Sequence, residues 1–160
     1  MVVASRRTVL VGATTLALLR PSGARAASHE VEMLNAHPDN SKQRMVFHPR
    51  LLVIEPGDTV TFVPTHKSHN SVSIDGMIPE GAATWKGRIN DPVEVTLDQP
   101  GFYGYECFPH RTMGMVGLII VEGDGKLDNL EAAQAVKHRG RAKKIFEEIW
   151  QEAEAGGLLS

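Results

Sequence analysis

The segment Cys107-Phe108-Pro109-His110-Arg111-Thr112-Met113-Gly114-Met115 sets a thiolate, an imidazole and a thioether at relative positions 0, 3 and 8, and His69 adds a second imidazole 38 residues earlier. Two histidines and one cysteine in a trigonal arrangement, with a long axial methionine, make the donor set of a blue-copper site. The thiolate favours Cu(I), the imidazoles tolerate both oxidation states, and the weak thioether helps tune the potential. Such a site need rearrange little when an electron arrives, so the implied chemistry is one-electron transfer at a single type 1 copper ion. Zinc also takes Cys and His, but its structural sites favour four strong donors in paired short spacings, and methionine is not among its usual ligands. Haem attachment needs Cys-x-x-Cys-His, and the chain has one cysteine. Nucleophilic catalysis by Cys107 with His110 would need an uncaptured thiolate and an oxyanion site, and none is recognisable.

The cysteine count matters because of where the chain is expected to go. Ser5-Arg6-Arg7-Thr8-Val9-Leu10 leads into the apolar run Val11 to Leu19 and then to Ala24-Arg25-Ala26, a small-residue cleavage pattern, so residues 1–26 read as an export signal. Arg6-Arg7 resembles a twin-arginine signal, which exports chains already folded; an ordinary secretory signal is the alternative. The run is too short for a membrane span, and no other stretch approaches the ~20 apolar residues a span needs. Small exported proteins normally pair their cysteines, whereas Cys107 cannot form an intramolecular disulfide. An accessible thiolate outside the cytoplasm is oxidised or crosslinked unless it is buried or held by a metal. Loss of the four arginines before Ala27 turns 17 basic against 19 acidic residues into 13 against 19, a net charge of −6. That balance argues against nucleic acid, which requires a basic footprint.

The elements that must position these donors are short. Residues 31–35, 45–47, 51–54, 59–63, 71–74, 93–97, 102–106 and 116–121 are β-rich runs separated by turn signals such as Pro56-Gly57-Asp58 and Asp98-Gln99-Pro100-Gly101. In Thr59-Val60-Thr61-Phe62-Val63 the apolar residues alternate with threonine, the period of a strand buried on one face. The pattern predicts an all-β sandwich or barrel over 27–125, with largely antiparallel pairing. Residues 126–160 read as a helical extension. Asp128 and Glu131 form a capping pair for a first helix that Gly140 can end, and a second helix carries Ala142, Ile145, Phe146, Ile149, Trp150 and Ala153 on one apolar stripe suited to packing on the sandwich.

At Glu30-Val31, Met33-Leu34-Asn35, Met45-Val46-Phe47, Pro56 to Phe62, His69-Asn70, Gly76-Met77-Ile78-Pro79, Tyr103-Gly104 and Cys107 to Gly117 the chain resembles the pseudoazurins, bacterial cupredoxins. The Cys-His-Met spacing is shared with plastocyanin; Gly76 to Pro79, Met113 to Gly117 and the two C-terminal helices point to pseudoazurin. The resemblance implies a Greek-key β-sandwich (cupredoxin-like) with two C-terminal α-helices. It also implies copper near one end, held by His69, Cys107, His110 and Met115, with Met113 in packing rather than ligation. It implies further that the Asn70 backbone N–H donates to the Cys107 sulfur, that Pro109 withholds a second donor, and that Met45 lies against His110. His37, His48, His66 and His138 are expected to be exposed polar residues.

The resemblance also implies a periplasmic, monomeric electron-transfer protein that is not an enzyme. Its acceptor would be an acidic copper nitrite reductase and its donor a cytochrome or quinol-linked protein, with His110 opening onto an apolar patch ringed by basic groups. Lys67, Lys86, Arg88 and Arg111 keep that character, whereas Ala36 and Glu106 stand where the family commonly has lysine. A copper storage or delivery protein is the alternative. Finally, cleavage after Ala26 would leave Ala27-Ser28-His29, whose amine, two deprotonated backbone nitrogens and imidazole can form a weak square-planar Cu(II) site, atoms that a frayed N-terminus offers freely.

Overall fold

A computed structural model describes residues 26–160; apart from Ala26, the expected export signal lies outside the described residues. Eight strands form, β1 (Ser28–His37), β2 (Asn40–His48), β3 (Leu51–Ile54), β4 (Asp58–Val63), β5 (Val72–Ser73), β6 (Val93–Leu97), β7 (Gly101–Glu106) and β8 (Val116–Val121). They make two four-stranded sheets, in the orders β2-β1-β4-β6 and β3-β8-β7-β5. The chain passes from one sheet to the other between β2 and β3 and again at every step from β3 to β7, the crossing expected of a Greek-key sandwich. Four pairings are antiparallel, but β1–β4 and β3–β8 are parallel. Among the described residues, no helix is long and apolar enough to cross a membrane.

Strand β4 shows why the sequence folds this way. Val60 and Phe62 are fully buried between the sheets while Thr59 and Thr61 face outward, where their hydroxyls meet Thr96 and Glu94 of the neighbouring β6. The inter-sheet core joins Val31, Met33, Phe47, Val60, Phe62, Trp85, Tyr103, Tyr105, Ile119 and Val121, and it reaches Cys107 and Met115. Phe62 and Phe47 each meet the Tyr105 ring edge-on, at 4.9 and 4.8 Å between centroids, a favoured aromatic geometry.

All six residues of β8 are buried because the strand is covered on both faces, which is why it lacks polar alternation. Ile119 and Val121 point into the sandwich, while Val116, Leu118 and Ile120 point outward into a second core. The C-terminal helices supply that second core, α1 (Leu130–Ala135) and α2 (Arg141–Ala155). The stripe predicted from sequence is the face α2 buries: Ala142, Phe146, Ile149 and Ala153 are inside, and Ile145 and Trp150 pack at the margin.

Three expectations for this region need correction. Asp128 makes no cap, because the first turn is a 3₁₀ helix over Lys126–Asn129 with no capping side chain. Its last residue, Asn129, is committed elsewhere: the side chain accepts from Phe102 N–H at 3.0 Å and donates to Phe102 C=O at 2.8 Å, continuing the edge of β7. Helix α1 ends at Ala135, where Val136 turns extended, and Gly140 precedes α2 rather than closing α1. Of the histidines expected to be exposed, His66 is; His138 is half-buried and stacks on Phe146 at 4.0 Å, and His37 and His48 meet edge to face at 4.8 Å.

Candidate metal centre

His69 lies on the connection from β4 to β5, Cys107 directly follows β7, and His110 and Met115 flank a 3₁₀ turn (Arg111–Met113) that leads into β8. The loop closes on itself. Cys107 N–H donates to Met115 C=O at 2.9 Å, His110 N–H to Cys107 C=O at 3.0 Å, and Met113 N–H to His110 C=O at 2.9 Å. Two adjacent antiparallel strands thus present three donors on one short, internally bonded turn.

The donor atoms converge. His69 Nδ1 and His110 Nδ1 are 3.1 Å apart, and Cys107 Sγ lies 3.4 Å from His110 Nδ1 and 3.8 Å from His69 Nδ1. A first-row ion bound at ~2.0 Å by nitrogen and ~2.3 Å by sulfur in one plane would space its donors roughly 3.5 Å apart. The observed triangle has that size, so these residues fit one metal ion. Among the described residues it is the one cluster of three or more His, Cys, Asp or Glu donors with this convergence. His69, Cys107 and Met115 are fully buried and His110 is partly exposed, giving the site one edge to solvent. Met115 shares the core with Cys107, whereas Met113 is 46% exposed and does not serve the packing role expected of it.

Surrounding groups fix the donors. Asn35 Oδ1 lies 2.9 Å from His69 Nε2, so Nε2 carries the proton and Nδ1 keeps its lone pair for the metal. Burial, then the nearby His110 and His66, push the His69 pKa down to about 4, so the ring stays in its neutral, ligating form. Burial raises the Cys107 thiol, and backbone N–H groups of Asn70 and His110 oppose that by donating to the sulfur. Asn70 N–H, the expected donor, is among the groups that favour the thiolate. The Asn70 side chain joins the two ligand segments, accepting from Phe108 N–H at 2.9 Å and donating to Gly87 C=O at 3.0 Å. Met45 packs against the core that includes Cys107 and Met115. The sequence did not reveal Asn35 as a partner of His69, because the contact spans 34 residues and arises only when β1 pairs with β4.

The start of α2 is seated on the ligand loop at two glycines. A Cβ on Gly114 would lie 2.9 Å from Ile145 Cγ1, and one on Gly140 would lie 2.5 Å from Thr112 C=O. Gly140 also has φ 61° and ψ −142°, which L-residues avoid. Gly140→Ala is therefore expected to cost about 2 kcal/mol in urea denaturation. Because Thr112 lies between His110 and Met115, the variant should also alter the relative intensities of the visible bands of the copper-loaded protein. An unchanged spectrum with lowered stability would show that α2 supports the fold without bearing on the site.

Ala27 and His29 are both tied to Asp58. Ala27 N donates to Asp58 Oδ1 at 2.7 Å, His29 Nε2 lies 2.8 Å from Asp58 Oδ2, and Thr59 N–H donates to Ala27 C=O. A square-planar chelate at Ala27-Ser28-His29 would have to break these contacts.

A family model described as copper binding proteins, plastocyanin/azurin family, matches residues 32–122. The chain is 41% identical over 145 residues to a pseudoazurin of Methylorubrum extorquens, covering 89% of this chain and 95% of the relative. It is 45% identical over 132 residues to a pseudoazurin of Paracoccus pantotrophus, covering 82% and 86%. Among solved structures, a pseudoazurin from Sinorhizobium superposes with a TM-score of 0.75 at 46% identity, covering 81% of this chain and 98% of that one.

Proposed function

We propose that this chain, which belongs to the pseudoazurin family of blue-copper electron carriers, shuttles single electrons in the periplasm as a monomer. Its acceptor is a copper nitrite reductase and its donor a cytochrome or quinol-linked protein. In this reading residues 1–26 are an export signal, 27–125 the copper-bearing sandwich and 126–160 a helical brace, and His69, Cys107, His110 and Met115 hold one copper ion. The observation that carries it is the convergence of His69 Nδ1, Cys107 Sγ and His110 Nδ1 within 4.8 Å in a pocket whose donors are fixed by hydrogen bonds. Copper, when bound, supplies a Cu(I)/Cu(II) couple. The protein's residues hold the thiolate away from oxidants, keep His69 neutral, and leave only the His110 edge open, so that edge is the route for the electron.

Mixing the reduced, colourless protein with copper nitrite reductase and nitrite should turn it blue. A protein that instead gave up its copper to a chelator or partner without changing colour would be a delivery protein, and the shuttle reading would fail.

The surface beside the port suits an acidic acceptor. Phe108 is 55% exposed, the Arg111 guanidinium lies 4.7 Å from its ring centroid, and Lys67, Lys86 and Arg88 are exposed. A groove of about 590 Å³ between β2 and α2 reaches the same loop at Met113; Arg44, Arg50, Arg141 and Lys144 line it, together with Glu148 and Glu152, which pair with Arg50. Glu106 works against this charge, since its Oε1 accepts from Arg111 Nη1 at 3.2 Å. Electron transfer to nitrite reductase should slow as salt rises, because charges are screened over about 8 Å at physiological ionic strength. Glu106→Lys should speed it about threefold in low salt, with the gain vanishing at high salt. Stopped-flow mixing checks both; slower transfer in the variant would exclude an acidic partner.

A further inference from the structure

Asp58 is a buried carboxylate, 5% exposed, in the turn that opens β4, and the copper site makes no use of it. Three donors converge on it: Ala27 N at 2.7 Å, His29 Nε2 at 2.8 Å and Glu55 N–H at 3.1 Å. Ala27 is gripped from its other side as well, through the Thr59 N–H to Ala27 C=O bond of 2.9 Å that begins the parallel β1–β4 ladder. These contacts lower the Asp58 pKa, with the Ala27 N–H bond first and the His29 bond second, so the carboxylate is charged. Asp98 adds negative charge to this corner, its Oδ1 lying 3.8 Å from where a Cβ on Gly57 would be.

Independently of these contacts, the cleavage pattern Ala24-Arg25-Ala26 makes Ala27 the first residue of the processed chain. Hydrolysis of the Ala26–Ala27 bond adds water across it. Hydroxide joins the Ala26 carbonyl carbon and a proton joins Ala27 N, giving an acid and an amine; the acid's proton then passes to the amine, leaving a carboxylate and an ammonium. The atom 2.7 Å from Asp58 Oδ1 thereby changes from a neutral amide donor into a cation. A hydrogen bond between two charged groups is about twice as strong as one between neutral groups.

We infer that Asp58 is the receptor for the α-ammonium that processing exposes at Ala27, so that cleavage itself locks β1 onto β4. This rests on the export reading above. The consequence reaches the copper site through register, because β1 also carries Asn35, the partner of His69 Nε2.

The test starts from full-length chain exported by cells, whose N-terminal mass should correspond to Ala27. The mature protein is then compared with a form carrying one extra glycine before Ala27 and with one acetylated at the Ala27 amine, each also prepared with Asp58→Asn. Glycine or acetyl should lower Tm by about 4 °C with Asp58 present and by less than about 1 °C in the Asp58→Asn background. Amides of the first residues of β1 should exchange with solvent about tenfold faster in the blocked forms. An equal drop in both backgrounds, or none in either, would overturn the inference. Should Asp58→Asn fail to fold, the two blocked forms decide: no loss of Tm or of amide protection on blocking overturns it. An exported chain beginning at another residue would overturn the export boundary and the inference together, whereas an Ala27 start with no dependence on Asp58 removes the inference alone.

Discussion

Replacing Cys107 by serine is expected to abolish the intense visible absorption of the copper-loaded protein, by about tenfold or more, while the fold survives. The colour of a blue-copper site comes from charge transfer out of the thiolate, and a serine hydroxyl is a hard donor that stays protonated near neutral pH. The substitution is nearly isosteric, and the backbone contact that holds this position, Cys107 N–H to Met115 C=O at 2.9 Å, does not involve the side chain. A buried hydroxyl can accept the Asn70 and His110 N–H groups that the sulfur accepts. The cost should therefore stay within about 1–3 kcal/mol, below the 5–15 kcal/mol typical of a domain. Visible and electron paramagnetic resonance spectra, read beside far-ultraviolet circular dichroism, decide the matter. A variant that folded and stayed blue would show that the sulfur is not a ligand.

What could be read from the sequence depended on how local each interaction is. Cys107, His110 and Met115 lie within nine residues on one turn, so their types and spacing carry the site almost unaided. His69 is 38 residues away from Cys107, and its place just ahead of a β-rich run was its only local signal; the resemblance to a family motif then supported it. Strands β3, β6 and β8 were legible to the residue because turn signals bound them on both sides, whereas β1 and β2 extend well beyond their predicted ends through polar residues that only pairing recruits. Asn35 had no local signal. Gly140 shows the opposite failure: a glycine between two helical stretches suits the end of one or the start of the next, and its seat against Thr112 settles the choice. His29 meets Asp58, 29 residues on, a contact that likewise had no local signal.

Metal-free protein is expected to lose about 3 kcal/mol of stability between pH 7.5 and pH 4 through His69. Its folded-state pKa of about 4 lies below the ordinary 6.5, because burial and the neighbouring His110 and His66 disfavour the imidazolium. Between those two values the unfolded chain binds a proton that the folded chain refuses, so stability rises with pH across the window. It is complete above about pH 6.5 and lost as pH falls towards 4, by about 1.4 kcal/mol per unit. His138 adds to the slope in the same direction, since burial against Phe146 lowers it too. Urea denaturation of metal-free protein across this range should show the loss, and His69→Gln should remove His69's share while leaving that of His138. Copper should shift the onset to lower pH, because a proton must then displace the metal from Nδ1 before the folded state feels it. Metal-free protein equally stable at pH 7.5 and 4.5 would mean that His69 accepts a proton in the folded state. Burial would then not be keeping Nδ1 free for copper at acid pH.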